Sequence, residues 1–273
     1  MEYESVSLIP ERGADGPVPR PSPEPGARSA LGSTDLVDLE DIDPDLSALG
    51  ALGGFFVLRT GAPPRGALPT LAQAYASEPP EGGADPLAER IRKVAHSLRA
   101  PEPRVAASLA HQGLAARIWS VALGSAALYG RVPDLDPQLL RWDPEGGVPD
   151  DLWLSEVRPL PVASLDAVVR EGHLAPLMAV LSARHGVSAR LLWGNAGSAL
   201  AGTVRMIDRW ARETGRTDVG ERARSLAAGL FAHPDLSGTL DPAGRRRSCC
   251  LYYRLPAGGL CGDCCFDRPP GRE

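Results

Sequence analysis

The residues of this chain best suited to metal or redox chemistry are its five cysteines, which all lie near the C-terminus. Cys249 and Cys250 are adjacent, ten residues separate them from Cys261, and Cys264 follows after two more. Cys265 stands directly beside Cys264. The first residues show no basic and apolar leader, so we expect no secretion signal and a cytoplasmic protein. In that setting, thiols gathered over so short a span favour a metal or iron–sulfur site over a disulfide framework.

Two kinds of metal centre suit four thiolates of this kind. A Cys-x2-Cys turn is one half of many structural zinc sites, but the other half is normally a second spaced pair. Neighbouring side chains of an extended chain point to opposite faces, so Cys249 and Cys250 would hold their sulfurs apart. That arrangement suits two irons better than one small ion. The pattern therefore favours a [2Fe–2S] centre, with zinc and catalytic thiol or disulfide chemistry as the alternatives, and leaves one cysteine spare.

The overall composition of the chain argues against several other classes of function. The chain has 273 residues, 43% hydrophobic and 23% charged, which is enough for one full-sized core and short for two. Its net charge of −5 leaves no basic footprint for a nucleic acid. The single lysine, Lys93, follows no glycine-rich phosphate cradle, and no Gly-x-Gly-x-x-Gly motif is present. We therefore expect neither P-loop chemistry nor a bound nicotinamide or flavin, and any electron must come from outside the chain.

The elements that must position the cysteines are predicted to be mainly α-helical, with a few short strands. Residues 1–48 form an acidic, proline-rich segment that we expect to be a disordered arm, either solvated or serving as an acidic contact for a basic partner. Residues 49–240 form a single helical domain, and residues 241–273 form the cluster segment. That segment is too small to own a core, so it must sit against the helices.

The helical periodicity and capping residues place six helices and two strands. The predicted helices are Leu68–Ser77, Pro86–Leu98, Arg104–Gly130, Ser164–His185, Ser188–Thr214 and Asp218–Phe231, and the predicted strands are Gly53–Arg59 and Leu152–Val157.

The longest apolar region, Arg104–Gly130, is predicted to be a buried central helix with a break near Gly124. It is too polar and its uncharged part too short to cross a membrane. A buried Arg117 would need a carboxylate partner. His111 is either a hydrogen-bonded histidine of the helix packing or a ligand or acid.

A polar stripe marks the helix predicted for Ser188–Thr214. Asn195 lies on this stripe, which also contains Ser198, Gly202, Arg205 and Arg209. The stripe indicates either a groove that faces a ligand or tight packing between helices.

The cysteine motif also resembles a known family. With the arginines before it and the stretches Tyr253–Pro256 and Gly258–Gly262 inside it, it is similar to the C-terminal cluster segment of ferric-siderophore reductases of the FhuF-like family. Two upstream stretches, Ala107–Ser120 and Leu192–Leu200, are also similar to that family. The resemblance extends from about Gly50 to Cys265.

The resemblance implies a [2Fe–2S] cluster bound by Cys249, Cys250, Cys261 and Cys264. Cys265 lies outside the family pattern, so either member of the Cys264–Cys265 pair is a candidate for the fourth ligand. The resemblance also implies an oxidoreductase that reduces an imported ferric siderophore by one electron in the cytoplasm. Ferrous ion fits oxygen donors less well than ferric ion, so the electron releases the metal.

The partners implied are the ferric siderophore and an external electron donor, such as a ferredoxin, a flavodoxin or a separate reductase. A position at the periphery of a siderophore importer is compatible with the absence of a transmembrane span. The alternatives are a zinc-stapled structural or interaction protein and an iron–sulfur redox sensor.

Four arginines surround the cysteines: Arg245, Arg246, Arg247 and Arg254. Positive charge beside a cluster favours its more negative reduced state. Arginines can also dock an anionic chelate or an acidic donor, and for docking we single out Arg247 and Arg254, together with Asn195 and His111. For Arg245 and Arg246, a solvated basic turn is an equally good interpretation.

Overall fold

The computed structural model describes residues 46–63, 66–78, 83 and 85–271. Most of the disordered arm predicted for residues 1–48 therefore lies outside the described residues, and the described fold begins with the buried Leu46.

Helices carry most of the fold, and the strands are few and short, as predicted for a mainly α protein. The α-helices are α1 (Leu71–Ala74), α2 (Pro86–Leu98), α3 (Pro103–Tyr129), α4 (Ala175–His185), α5 (Ala189–Thr214) and α6 (Thr217–Phe231). The strands are β1 (Arg59–Thr60), β2 (Arg131–Pro133), β3 (Leu140–Trp142), β4 (Leu152–Leu154) and β5 (Pro159–Pro161).

Two small sheets flank the helices. In one, β4 lies between β1, to which it is parallel, and β3, to which it is antiparallel. In the other, β2 pairs with β5 in antiparallel register. The strand predicted at Leu152–Val157 is confirmed in its first half as β4.

The caps of α2 and α5 lie where the sequence predicts them. The Asp85 side chain accepts a hydrogen bond from the Ala88 amide at 3.0 Å, and Pro86 occupies the first turn of α2. Ser188 accepts one from the Leu191 amide at 3.3 Å at the start of α5. Each cap satisfies an amide that has no partner within its own helix, which is why these helices begin where they do.

The centre of the fold is α3, which packs against α2, α5 and α6 and is buried along most of its length. It continues without a break through Gly124, contrary to the prediction. A Cβ atom at Gly124 would lie 2.7 Å from the Phe56 ring, so the glycine makes room for that ring instead of ending the helix.

The prediction of a strand over Gly53–Arg59 was wrong for most of its length. Ser47–Leu52 and Gly54–Phe56 form 3-10 turns, and only Arg59 belongs to a strand. The carbonyls of Phe55 and Val57 accept hydrogen bonds from the buried Arg117 guanidinium, which takes the place of a strand partner.

Two predicted helices are shorter than expected. Thr70 forms an isolated β-bridge with Arg141 of β3. Of the helix predicted over Leu68–Ser77, only the single turn of α1 is therefore formed. Ser164 lies in a 3-10 turn and caps nothing, and Ala167–Leu174 is a π-helix before α4. Pro176 in the first turn of α4 lacks an amide hydrogen, which removes one α-helical bond to the preceding turn and favours the wider winding.

The described helices also differ from membrane-spanning helices. None of them, α3 included, is long and apolar enough to cross a membrane.

Candidate metal centre

The cysteine segment lies on α3 and α5, as expected for a segment too small to form a core. The Ser108 hydroxyl of α3 donates a hydrogen bond to the Cys250 carbonyl at 2.9 Å. The Arg247 amide donates to the Thr239 carbonyl at 2.9 Å, which attaches the start of the segment to the turn after α6. The helical body therefore sets the position of the thiols.

The thiols divide into a buried group and a half-exposed group. Cys250, Cys261 and Cys264 are each less than 5% exposed and pack with Tyr252, Leu260 and Phe266 in a small cluster separate from the main core. Cys249 and Cys265 are half-buried. The adjacent Cys249 and Cys250 thus differ in depth, in line with the expectation that their side chains point apart.

Two of the buried thiols have the spacing that one tetrahedral metal ion requires. The Sγ atoms of Cys250 and Cys261 lie 3.6 Å apart. Two thiolates bound tetrahedrally at about 2.3 Å would lie about 3.8 Å apart. This pair can therefore hold one metal atom with little movement.

Backbone amides point at two further sulfurs. The Leu251 amide donates to Cys249 Sγ at 3.2 Å, and the Phe266 amide donates to Cys264 Sγ at 3.4 Å. Hydrogen bonds to sulfur are among the features that stabilise iron–sulfur centres and set their potential. Within the described residues, no three Cys, His, Asp or Glu side chains form a group that could hold a single metal ion.

The protonation of the thiols depends on their surroundings. Burial raises the pKa of Cys249 to about 12. The hydrogen bond shared by Cys250 and Cys261 holds the pKa of Cys250 below the ordinary thiol value and that of Cys261 above it. Metals bind thiolates, so loading of the site releases protons.

A buried arginine lies beneath the thiols. The Arg246 side chain is fully buried, and its Nε donates to Asp263 Oδ1 at 3.0 Å. Its other two nitrogens donate to Asn195 Oδ1 at 2.6 Å and to Ser198 Oγ at 2.7 Å. The interpretation of Arg246 as part of a solvated turn was therefore wrong.

The network continues to the far side of the cysteine segment. The Asn195 amide nitrogen donates to the Ser108 carbonyl at 2.9 Å, and Ser108 in turn binds the Cys250 carbonyl. Asp263 lies between Cys261 and Cys264 in the sequence. One chain of hydrogen bonds therefore connects α3, α5 and both halves of the cysteine motif.

The two interior residues that we singled out for docking are not at the surface. Asn195 is fully buried and its amide is occupied by Ser108 and Arg246. His111 is 1% exposed, and neither ring nitrogen has a hydrogen-bond partner within the described residues. Burial, together with the nearby Arg246 charge, lowers the pKa of His111 to about 3, so this ring is neutral at physiological pH.

The other three arginines lie nearer the surface. Arg245 pairs with Asp267 at 2.8 Å, and Arg254 pairs with Glu102 at 2.5 Å. Arg247 is exposed and has no carboxylate partner among the described residues.

Sequence reasoning did not connect Asp263 or Ser198 to the cysteines. Asp263 occupies the variable part of the Cys-x2-Cys turn, and an acid between two cysteines, in a segment that also carries a run of three arginines, was the available signal. Ser198 and Asn195 lie on the polar stripe of α5, but only the packing of the cysteine segment shows what that stripe faces.

The segment that contains this centre matches a known family model. Residues 246–266 match the FhuF 2Fe-2S C-terminal domain. The cysteine segment is therefore similar to an FhuF-type domain. It binds a [2Fe–2S] cluster, and the match confirms the resemblance to the FhuF-like family at the C-terminus. A comparison with curated proteins gave no match. The similarity of the upstream stretches, Ala107–Ser120 and Leu192–Leu200, stays a prediction.

Proposed function

We propose that this protein is a ferric-siderophore reductase that delivers one electron to a chelated ferric ion, so that iron is released in the cytoplasm. The FhuF 2Fe-2S C-terminal domain at residues 246–266 is the observation that carries this proposal. The arrangement of three buried thiols with two half-exposed ones at the same segment supports it. A bound [2Fe–2S] cluster supplies one electron at a time, and reduction of ferric to ferrous ion needs one.

The proposed cluster ligands are Cys249, Cys250, Cys261 and Cys264. The 3.6 Å separation of the Cys250 and Cys261 sulfurs suits two ligands of one iron. Cys249 and Cys264, each of which accepts a backbone hydrogen bond at sulfur, would then serve the other iron. Cys265 is the spare thiol.

The residues around the thiols would hold the centre and limit the access of water. The buried Cys250, Cys261 and Cys264 lie on the side of the helical body, packed with Tyr252, Leu260 and Phe266. The half-exposed Cys249 marks the side open to solvent. We propose that substrate and electron donor approach on this side, because electron transfer needs a short distance to the centre.

Exposed arginines flank this side and are the proposed docking residues. A groove of about 320 Å³ is lined by Arg190, Trp193, Arg247 and Ser248, directly before Cys249. Neither of its arginines has a carboxylate partner among the described residues, and the one acid of the lining, Asp235, pairs with Arg170 at 3.4 Å, so both arginines are available to an anionic partner. Arg254, whose charge is shared with Glu102, is the weaker candidate. Asn195 and His111 are buried, so they would influence docking only from beneath the cysteine segment.

The electron donor is proposed to be a separate protein, such as a ferredoxin, a flavodoxin or a reductase. The chain has no Gly-x-Gly-x-x-Gly motif for a dinucleotide. Rapid reduction of the isolated protein by NADPH would contradict this part of the proposal.

The test is reduction of ferric siderophores by the purified protein. The protein is prepared without oxygen, analysed for iron and acid-labile sulfide, reduced with dithionite and freed of excess reductant. It is then mixed with a panel of ferric siderophores in the presence of a ferrous chelator. We expect two irons and two sulfides per chain and ferrous ion formed in step with cluster oxidation.

The outcomes separate the alternatives. Zinc without sulfide would support a structural or interaction protein instead. A cluster that is reoxidised by none of the ferric chelates would contradict the reductase proposal and favour a sensor. The matched control is Cys265→Ser, which should behave as the unmodified protein.

A further inference from the structure

Among the four arginines that surround the cysteine motif, Arg245, Arg246, Arg247 and Arg254, only Arg246 has a fully buried side chain. Arg245 and Arg254 are about one-third exposed at the side chain, and Arg247 is exposed. Burial of a charge is costly unless hydrogen bonds and an opposite charge compensate it. The surroundings of Arg246 are therefore a specific arrangement that a solvated turn would not need.

All three guanidinium nitrogens of Arg246 have a partner. They bind Asp263, Asn195 and Ser198 at distances between 2.6 and 3.0 Å. The backbone amide of Arg246 also donates to the Asp263 carbonyl at 2.8 Å. A planar fork of donors satisfies three acceptors in different directions, whereas a lysine presents one nitrogen.

These contacts act on both halves of the cysteine motif. Asp263 lies inside the turn that carries Cys261 and Cys264, so its bonds to Arg246 fix that turn. Asn195 binds Ser108, and Ser108 binds the Cys250 carbonyl, which fixes the other half. Arg246 is the residue common to both paths.

The charge of Arg246 lies close to the thiols. Burial works against the charge of Arg246, but the nearby Cys250, Asp263 and Cys261 outweigh it, so the pKa of Arg246 lies above its usual value. In a buried site, such a charge is screened little by solvent or salt. Addition of an electron to a centre beside it adds negative charge next to a fixed cation.

We propose that Arg246 is a positioning residue for the [2Fe–2S] centre: its guanidinium holds the Cys261–Cys264 turn through Asp263 and supplies a buried positive charge that favours the reduced state. The proposal rests on the cluster ligands assigned above and not on the identity of the substrate. Asp263 has the opposite charge at the same place, so it should have the opposite electrostatic effect.

The experiment compares Arg246→Lys, Arg246→Gln and Asp263→Asn in the full chain with the cluster bound. Arg268→Gln is the matched control, because it removes the same charge from an exposed position of the same segment. The midpoint potential is measured by a redox titration followed by electron paramagnetic resonance, with no siderophore present. Cluster loss to a ferrous chelator is timed in parallel, and circular dichroism checks the helical fold.

We expect a lower potential in Arg246→Gln and a higher one in Asp263→Asn, with Arg268→Gln close to the unmodified protein. Both substitutions in the network should release the cluster faster, by roughly 10- to 100-fold, because outer partners of a metal centre typically contribute that much to its retention. In Arg246→Lys, the midpoint potential should change less than the cluster lifetime, because lysine keeps the positive charge but lacks the planar set of guanidinium donors.

The opposite signs separate an electrostatic role from a merely structural one, which would move both potentials in the same direction or neither. Equal potentials and equal cluster lifetimes in Arg246→Gln and the unmodified protein would overturn the proposal. If Arg246→Gln does not fold, Arg246→Lys and Asp263→Asn still decide it by the same two measurements. Absence of a cluster from the unmodified protein would instead overturn the ligand assignment.

Discussion

Arg117 and Arg246 are both buried, and they lie in two different regions of the molecule. Arg117 projects from α3 into the main core, where it pairs with Asp151 at 3.0 Å and binds the carbonyl of Val57 at 2.8 Å. Arg246 lies under the cysteine segment and binds Asp263 and two side chains of α5. The first arginine connects loops to the core, and the second connects the thiols to the core.

Their surroundings treat the positive charge differently. Burial lowers the pKa of Arg117, although Asp151 opposes the shift. Burial also works against the charge of Arg246, yet Cys250 and Asp263 outweigh it and the pKa is raised. The Arg117 site tolerates a cation for its hydrogen bonds, whereas the Arg246 site is negative enough to favour one. The same side chain thus has a purely structural task in one region and an electrostatic one beside the thiols.

The largest effect should come from the thiols themselves. Serine at Cys249, Cys250, Cys261 or Cys264 should each abolish the visible absorption of the cluster, because a hydroxyl is a poor replacement for a thiolate ligand. The helical body should keep its circular dichroism spectrum, since its core is separate from the thiol cluster. Iron analysis and absorption spectra of the four variants provide the check.

Cys265→Ser is the matched control for those variants, and it should keep its colour. Loss of colour in Cys265→Ser, with colour retained in Cys264→Ser, would assign the fourth ligand to Cys265.

The next largest effect should come from Arg117→Met. The substitution leaves Asp151 without its nearest partner and the Phe55 and Val57 carbonyls without a donor. Removal of one member of a buried ion pair costs about 3–5 kcal/mol. Arg90 also contacts Asp151, at 3.3 Å, so the lower end of that range is expected. Urea unfolding followed by circular dichroism measures the loss.

Arg59→Gln is the control for Arg117→Met. Arg59 pairs with Asp150 at 2.7 Å at the surface, where such pairs contribute about 0–1 kcal/mol. Equal loss of stability in the two variants would contradict the distinction between the buried and exposed pairs.

Acid should weaken the helical body through His173. This ring is buried between Tyr75 and the Leu135 carbonyl, and burial lowers its pKa to about 4. The unfolded chain binds the proton at an ordinary pKa of about 6.5. Stability from this group is therefore complete above about pH 6.5 and falls by about 1.4 kcal/mol per pH unit between that pH and about 4.

The measurement is the free energy of unfolding in urea between pH 7 and pH 4. His173→Gln should reduce the slope by about one proton, whatever it does to stability at pH 7. An unchanged slope would show that the imidazole of His173 does not carry the effect.

The smallest effect should come from Ser198→Ala, which removes one acceptor from Arg246 and one donor to Asp263 Oδ2 but leaves the bonds of Arg246 to Asp263 and Asn195 in place. The loss of a hydrogen bond to a charged group costs about 1.5–3 kcal/mol. We therefore expect a shorter cluster lifetime, and we expect no change in the sign of the midpoint potential. A larger effect than that of Arg246→Gln would indicate that Ser198 and not Arg246 organises the network.

Local signals were sufficient for much of the fold. Asp85 and Pro86 place the start of α2, and Ser188 places the start of α5, because caps and first-turn prolines act through backbone amides a few residues away. The apolar run of α3 and the need of Arg117 for a carboxylate were also predicted. The strand predicted at Gly53–Arg59 is not formed over most of its length, because the carbonyls there bind a side chain sixty residues away and not a neighbouring strand.

The cysteine pattern by itself favoured a thiolate-bound metal or iron–sulfur centre and left zinc as an alternative, because thiolate softness and close spacing are properties of the residues and their order. The arginines next to it were visible in the sequence, but their tasks were not. Only the tertiary structure separates Arg246 from Arg245 and Arg247, since consecutive side chains differ in burial according to what packs on each side. Its partners Asn195 and Ser198 lie about fifty residues earlier and meet it only because the segment folds back onto α5.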